Sequence, residues 1–279
     1  MTFKTSDCSN ESIAFIGGGN MASAIIGGLL KRGHFASQIE VIEPFAEQRA
    51  RLAQQFGVTV SESPGASLGR AALVVWAVKP QTFRQAAEQS RAHTQDALHL
   101  SVAAGIRSGT IARWLNTERV VRAMPNTPAL IGKAMTALFA RPAATAADRL
   151  AVERVVQTMG EYLWLDQEAQ LDAVTALSGS GPAYVFYFIE AMIQAGADMG
   201  LSREQAHRLA VGTFVGASAL AQEASERPDV LRARVTSKGG TTYAALASME
   251  QNGIKTHFMQ AIHAAQKRAS EMGDEFGAS

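Results

Sequence analysis

Ser12-Ile13-Ala14-Phe15-Ile16-Gly17-Gly18-Gly19-Asn20-Met21-Ala22-Ser23-Ala24-Ile25-Ile26 is the stretch whose reading decides the fold. An apolar run of strand length meets three glycines, and small and apolar residues at helical spacing follow. The order is strand, tight turn, helix. Gly17, Gly19 and Ala22 fit G-x-G-x-x-[G/A], the dinucleotide fingerprint. Gly17 lets the chain turn sharply out of the strand. Gly19 lets a pyrophosphate approach the backbone, and Ala22 lets helix and strand pack closely. The phosphates would sit on free N–H groups at a helix start, where the dipole favours negative charge. A structural βα turn without a ligand is the plainer alternative.

The surrounding pattern extends this unit. A helix is predicted over 20–32, ended by Gly33, and a strand over 38–42, closed by Glu43-Pro44. An acidic residue at that strand end suits a ribose-hydroxyl acceptor. Glu43 taken alone points to NAD, because a carboxylate repels a 2′-phosphate. Arg49 and Arg51, on a helix predicted over 45–56, point the other way. The apolar run 71–78 reads as a central parallel strand covered on both faces. Ligands in such sheets bind beyond the carboxyl ends of the strands. Residues 77–80 are thus expected to line the cleft, with Lys79 facing a phosphate, the nicotinamide ribose or solvent. Further strands are predicted over 98–102, 120–124, 135–139 and 161–165, and helices over 83–93, 111–115 and 146–160. Ala103-Ala104-Gly105 leaves room for a flat ring, and the two prolines of Met124-Pro125-Asn126-Thr127-Pro128 make a rigid loop. The alternation is that of a doubly wound, parallel α/β Rossmann sheet.

From Glu168 onward nearly everything reads as helix, which divides the chain into domains 1–166 and 167–279. Ser178-Gly179-Ser180-Gly181-Pro182 has a linker's composition, although Pro182 suits the first turn of a helix. Residues 183–199 read as a long buried helix. Glu190, Gln194 and Asp198 give it a polar stripe that argues against a membrane span. Ser202 and Gln205 form a capping box for a helix over 203–225. Short helices are predicted over 230–235 and 243–252, and a final one over 257–273. Thr236-Ser237-Lys238-Gly239-Gly240-Thr241-Thr242 combines glycines with hydroxyls just before a helix. It reads as a nest for a carboxylate or as a simple polar turn.

The chain has 279 residues, 47% of them hydrophobic and 18% charged, an ordinary globular composition. A net charge of +1 calls for neither nucleic acid nor an anionic membrane as partner. The single cysteine, Cys8, excludes a disulfide within the chain and suits a cytoplasmic location. No Cys/His cluster has zinc spacing, so no metal is expected. Residues 1–11 lack the apolar core of a secretory signal.

Taken together, residues 16–21, 78–80, 101–106, 122–129, 176–184 and 236–242 resemble the pyrroline-5-carboxylate reductase family, the last two stretches most specifically. The resemblance runs over nearly the whole chain. It implies a Rossmann domain followed by a helical dimerisation domain, with homodimers assembling into a larger ring, commonly a decamer. It implies hydride transfer to the C=N bond of 1-pyrroline-5-carboxylate, giving L-proline, from NADP(H) or alternatively NADH. Cofactor contacts then fall on Ile16, Gly17, Gly18, Gly19, Asn20 and Met21, on Ala77, Val78, Lys79 and Pro80, and on Ala103 and Arg234. Substrate contacts fall on Glu168, Thr241 and Thr242. Ser237, Gly239, Gly240 and Thr241 would hold the carboxylate. Thr242 is the candidate catalytic residue, hydrogen-bonding the ring nitrogen, and Glu168 would orient or balance the iminium. No histidine falls in these motifs. Two departures stand out: Lys238 replaces a common proline, and Arg234 replaces an asparagine of some relatives. A β-hydroxyacid dehydrogenase would want a lysine early in the second domain, and residues 166–201 contain none. A non-catalytic NAD(P)-binding regulatory protein is the other reading of the same fold.

Overall fold

β1 (Ser12–Ile16) is buried along almost its whole length, as a strand covered on both faces must be. It belongs to a computed structural model that describes residues 12–277; Cys8 and the reading of residues 1–11 lie outside that range. β2 (Ile39–Ile42) and β3 (Thr59–Ser61) lie on one side of β1. On the other side come β4 (Ala71–Trp76), β5 (Leu98–Ser101), β6 (Val120–Met124), β7 (Ala134–Ala140) and β8 (Gly160–Trp164). Neighbours are parallel except β6 and β7, where Val121 faces Ala140 in antiparallel register. The exception follows from the connection. Residues 125–133 hold only a 3₁₀ turn at Thr127–Ile131, too short for a crossover helix.

Successive side chains of the central strands feed opposite faces. Phe15 and Val75 join Ile25, Ile26 and Leu29 of α1 (Asn20–Lys31) in one apolar layer. Ile16, Val74 and Trp76 join Phe83 and Ile111 in the other, under α3 (Pro80–Ser90) and α4 (Ser108–Leu115). α2 (Ala46–Phe56) adds the buried Leu52. α5 (Ala146–Val156) is capped by Thr145, whose side chain accepts from Asp148 N–H. Trp76 Nε1 donates to His99 Nδ1 at 3.0 Å, and His99 Nε2 donates to Thr94 O at 3.0 Å. Burial lowers the His99 pKa to about 4, so this histidine is a neutral core residue near the start of β5.

α6 (Gln170–Val174) runs into a π-helical turn, Thr175–Gly179, and then α7 (Gly181–Asp198). α8 (Arg203–Glu223), α9 (Pro228–Arg234), α10 (Thr241–Gln251) and α11 (Ile254–Gly277) complete the chain. Packing divides it into two units, 12–180 with 265–277, and 181–264. The sequence division at 166/167 marks where strands stop. Packing divides later because α6 still lies against β7, and because the last turns of α11 return to the corner after β5. There Gly105, at φ +75°, has Met272 so near that a Cβ would sit 3.0 Å from Met272 Cβ, and Arg107 pairs with Asp274 at 2.7 Å.

In the helical unit, α7 corrects the sequence reading. Only Gly196 is buried, while Val185, Phe186, Tyr187 and Met192 are exposed. An apolar helix signals burial, and within one chain this helix has only α8 as its principal partner. The two meet at Gly196, where a Cβ would lie 2.9 Å from Ala206 Cβ. Ser202 and Gln205 make the expected capping box of α8. No helix among the described residues is long and apolar enough to cross a membrane.

Candidate active site

Strand order reverses at β1, which makes the crevice beyond the carboxyl ends of β1 and β4 the topological switch point. Gly17 turns there with φ +94°, its N–H donating to Ile42 O at 2.8 Å, and Ala77 N–H donates to Ile16 O at 2.8 Å. A Cβ on Gly17 would lie 2.7 Å from Ala77 O, and one on Gly18 would lie 2.4 Å from Leu52 Cδ1. The protein itself therefore demands glycine at Gly17, where the clash is with backbone, and at Gly18 a side chain would have to displace the end of Leu52. Gly19 is different: its Cβ would meet nothing within 4 Å, and the residue is exposed. Room is left there for a group from outside. Gly19 is also the N-cap of α1, whose first-turn N–H groups, from Asn20 and Met21 on, have no partner within the helix. These residues fit a dinucleotide's pyrophosphate.

The neighbouring strand ends complete this edge. Ile16 stands beside Trp76, and Trp76 beside Ser101, so 77–80 and Ala103 follow in line. Lys79 is exposed and Pro80 opens α3. Ala103 is buried, its N–H donating to Ser101 Oγ at 3.3 Å. Glu43 is buried beside the glycine turn, with Oε2 accepting from Gly18 N–H at 2.9 Å.

At the far side of the sheet, Glu168 accepts from Ser108 N–H at 2.5 Å, from Ser108 Oγ at 2.6 Å and from Arg122 Nη1 at 2.7 Å. Burial alone would raise its pKa. The bonds from Ser108, followed by the bond and charge of Arg122, outweigh that and hold the carboxyl below its usual range. Both oxygens are thus already engaged. An open cleft of about 420 Å³ adjoins this residue, lined by Arg107, Arg113 and Arg141. Each guanidinium already holds an acceptor of the chain: Asp274, Gly277 O and Glu118, respectively.

In the helical unit, Gly240 N–H donates to Ser237 O at 3.0 Å, closing a turn in which Gly239 has φ +77°. A Cβ on Gly240 would sit 2.7 Å from Ser237 Oγ. α10 starts at Thr241, earlier than the sequence pattern indicated, so exposed Thr241 and Thr242 occupy its first turn. Ser237, Gly239, Gly240, Thr241 and Thr242 are therefore gathered around one helix start. Arg234, at the end of α9, pairs with Glu226.

Residues 168–272 match the family model for pyrroline-5-carboxylate reductase dimerisation, and residues 12–105 match that for NADP oxidoreductase coenzyme F420-dependent. A pyrroline-5-carboxylate reductase of Pseudomonas aeruginosa is 44% identical over 96% of this chain and 99% of its own. The chain belongs to the pyrroline-5-carboxylate reductase family. A solved pyrroline-5-carboxylate reductase of Coxiella burnetii superposes with a TM-score of 0.88 at 34% identity, covering 95% of this chain and 99% of the other. One from Plasmodium falciparum with NADP bound gives 0.85 at 27% identity, covering 95% and 98%.

In this member of the pyrroline-5-carboxylate reductase family, the sequence reading gave Arg122 and Asn126 no site role of their own, although both lie in stretches it singled out, and it passed over Ser108. Arg122 carried a signal: it is a charge inside Val-Val-Arg-Ala-Met, an otherwise apolar strand, and is buried. Asn126 donates to Ser178 O at 3.2 Å and accepts from Met135 N–H at 3.1 Å, which ties the π-turn to the loop after β6. Nothing local in the sequence announces that bond.

Proposed function

We propose that the chain reduces 1-pyrroline-5-carboxylate to L-proline, with NADPH or NADH bound on the glycine turn. The observation that carries this reading is the start of α10. The Ser237–Gly240 turn opens onto free N–H groups and two exposed threonine hydroxyls, a fit for a small carboxylate with a hydrogen-bonding ring atom. A bound reduced nicotinamide supplies the hydride. Ser237, Gly239, Gly240 and Thr241 hold the substrate carboxylate. Thr242 hydrogen-bonds the ring nitrogen and favours the protonated imine, the better hydride acceptor. Glu168 enters as a positioning residue, because Ser108 and Arg122 already occupy its oxygens. In this reading Arg234 serves as a cofactor contact, and Lys238 adds positive charge to the carboxylate turn.

The working form we propose is a homodimer built through the helical region, assembling further into a decamer. We assign it to the cytoplasm, since a chain with one cysteine gains nothing from an oxidising compartment. Loss of NAD(P)H absorbance on adding pyrroline-5-carboxylate tests the reaction, and no loss with either cofactor overturns it in favour of a nucleotide-binding regulator. Thr242→Ala is expected to lower kcat about 10-fold or more, the loss of a hydrogen bond made in the transition state. Unchanged kinetics in that variant would remove Thr242 from the mechanism.

A further inference from the structure

The geometry points to Glu43 as the residue that sets cofactor specificity, selecting the dinucleotide without a 2′-phosphate, so that this chain prefers NADH to NADPH. The inference rests on the reading that a dinucleotide lies on the glycine turn. In a Rossmann unit the end of β2 is where the adenosine ribose arrives. β2 pairs with β1 up to Ile42 opposite Ile16, which brings Glu43 alongside Gly17 and Gly18. Its carboxylate is fixed there, Oε2 on Gly18 N–H at 2.9 Å and Oε1 on Phe45 N–H at 3.0 Å. Only 6% of the residue is exposed. Each carboxylate oxygen keeps a second lone pair. A ribose with free hydroxyls can donate to those lone pairs. A 2′-phosphate is an acceptor carrying nearly two negative charges, and it would meet a fixed negative group with no donor.

Reversing that preference needs a cation free to turn toward the phosphate. Arg49 is the nearest by sequence, and it is committed. Its Nη1 donates to Glu43 O at 2.8 Å and Pro44 O at 2.7 Å, and its Nη2 lies 3.2 Å from Glu62 Oε2. The guanidinium thus braces the backbone of the β2–α2 corner and is neutralised by Glu62. Gln48 donates to Gly18 O, so this side chain of the corner also serves the turn. Arg51 is exposed on α2 and is the cation a 2′-phosphate would have to recruit.

The test is direct titration of the purified full-length protein, followed by calorimetry or nicotinamide fluorescence. Four probes are used: NADH, NADPH, ADP-ribose and 2′-phospho-ADP-ribose. The expected result is tighter binding of each unphosphorylated probe, by about 10-fold or more at low salt, as for like charges held together. Glu43→Gln keeps one oxygen for Gly18 N–H but removes the charge, and it is expected to close most of that gap. Its circular dichroism melt reports whether the fold is kept, and Glu43→Ser, which removes the charge without setting an amide donor against Gly18 N–H or Phe45 N–H, repeats the comparison if it is not. Tighter binding of NADPH and 2′-phospho-ADP-ribose to the wild type overturns the proposal, and its loss in Arg51→Ala would name the cation responsible. A preference for NADH that survives Glu43→Gln in a folded protein also overturns it. Binding of none of the four probes overturns the dinucleotide reading itself, and this inference with it.

Discussion

Arg122 and Glu168 show how one buried charge organises its surroundings. A guanidinium in a strand covered on both faces must find an acceptor, and it does so 46 positions along the chain. The same carboxylate binds Ser108 at the start of α4, so one acid neutralises a charge and satisfies a helix terminus. Its carboxyl is held below 4.5, the ordinary value, by those bonds. A depressed folded-state pKa means the stabilisation is complete above that ordinary value and is lost as pH falls through the folded one. Glu168→Gln should therefore cost about 1–3 kcal/mol at neutral pH, and the difference from wild type should shrink as the pH falls below the ordinary carboxyl range. Urea unfolding at neutral pH and over a series of acidic pH values measures this, and equal stabilities at neutral pH would contradict it. The arginine was legible in the sequence as an anomaly in an apolar run. Its partner was not, because a separation of that length is set by the path of the chain and leaves no local pattern.

The elements differ in how much of themselves they state locally. The β1–turn–α1 stretch could be read because a buried strand, a positive-φ glycine and a helical apolar repeat each depend on near neighbours. The π-turn Thr175–Gly179 could not. Its mark is the bond from Ser180 N–H to Thr175 O at 2.8 Å, one residue wider than an α-helical turn, and serine and glycine suggest a linker instead. What holds it is tertiary: Asn126 reaches it from the loop after β6, and Met124 fills the space beside Gly179. Asn126→Ala leaves Met135 N–H without its acceptor and is expected to cost about 1–3 kcal/mol. Hydrogen exchange should speed up at Met135 and Ser180 ahead of the rest of β7. Protection unchanged at both amides would show that the turn holds its shape without Asn126.

At the scale of the whole molecule the two units are unequal in how they bury apolar residues. The sheet unit hides most of its large side chains between layers and exposes a scattered few such as Phe35, Phe45 and Ile131, whereas α7, α8 and α10 together leave Phe186, Tyr187, Leu209, Leu220 and Tyr243 exposed. Apolar exposure of that extent is what an association surface looks like before its partner arrives. The sequence revealed the apolar helix but not what covers it, since hydrophobicity carries no address. Phe186 is 59% exposed, and Phe186→Asp is expected to move the protein toward monomer in sedimentation velocity and to lower its activity in parallel. An unaltered sedimentation coefficient would take that face out of the interface. The return of α11 to the corner at Gly105 bears on the order of synthesis. The sheet unit is encoded in two pieces, 12–180 and 265–277, with the whole helical unit between them. Residues 265–277 leave the ribosome after the helical unit, so the sheet unit completes its packing only once the helical unit has been made.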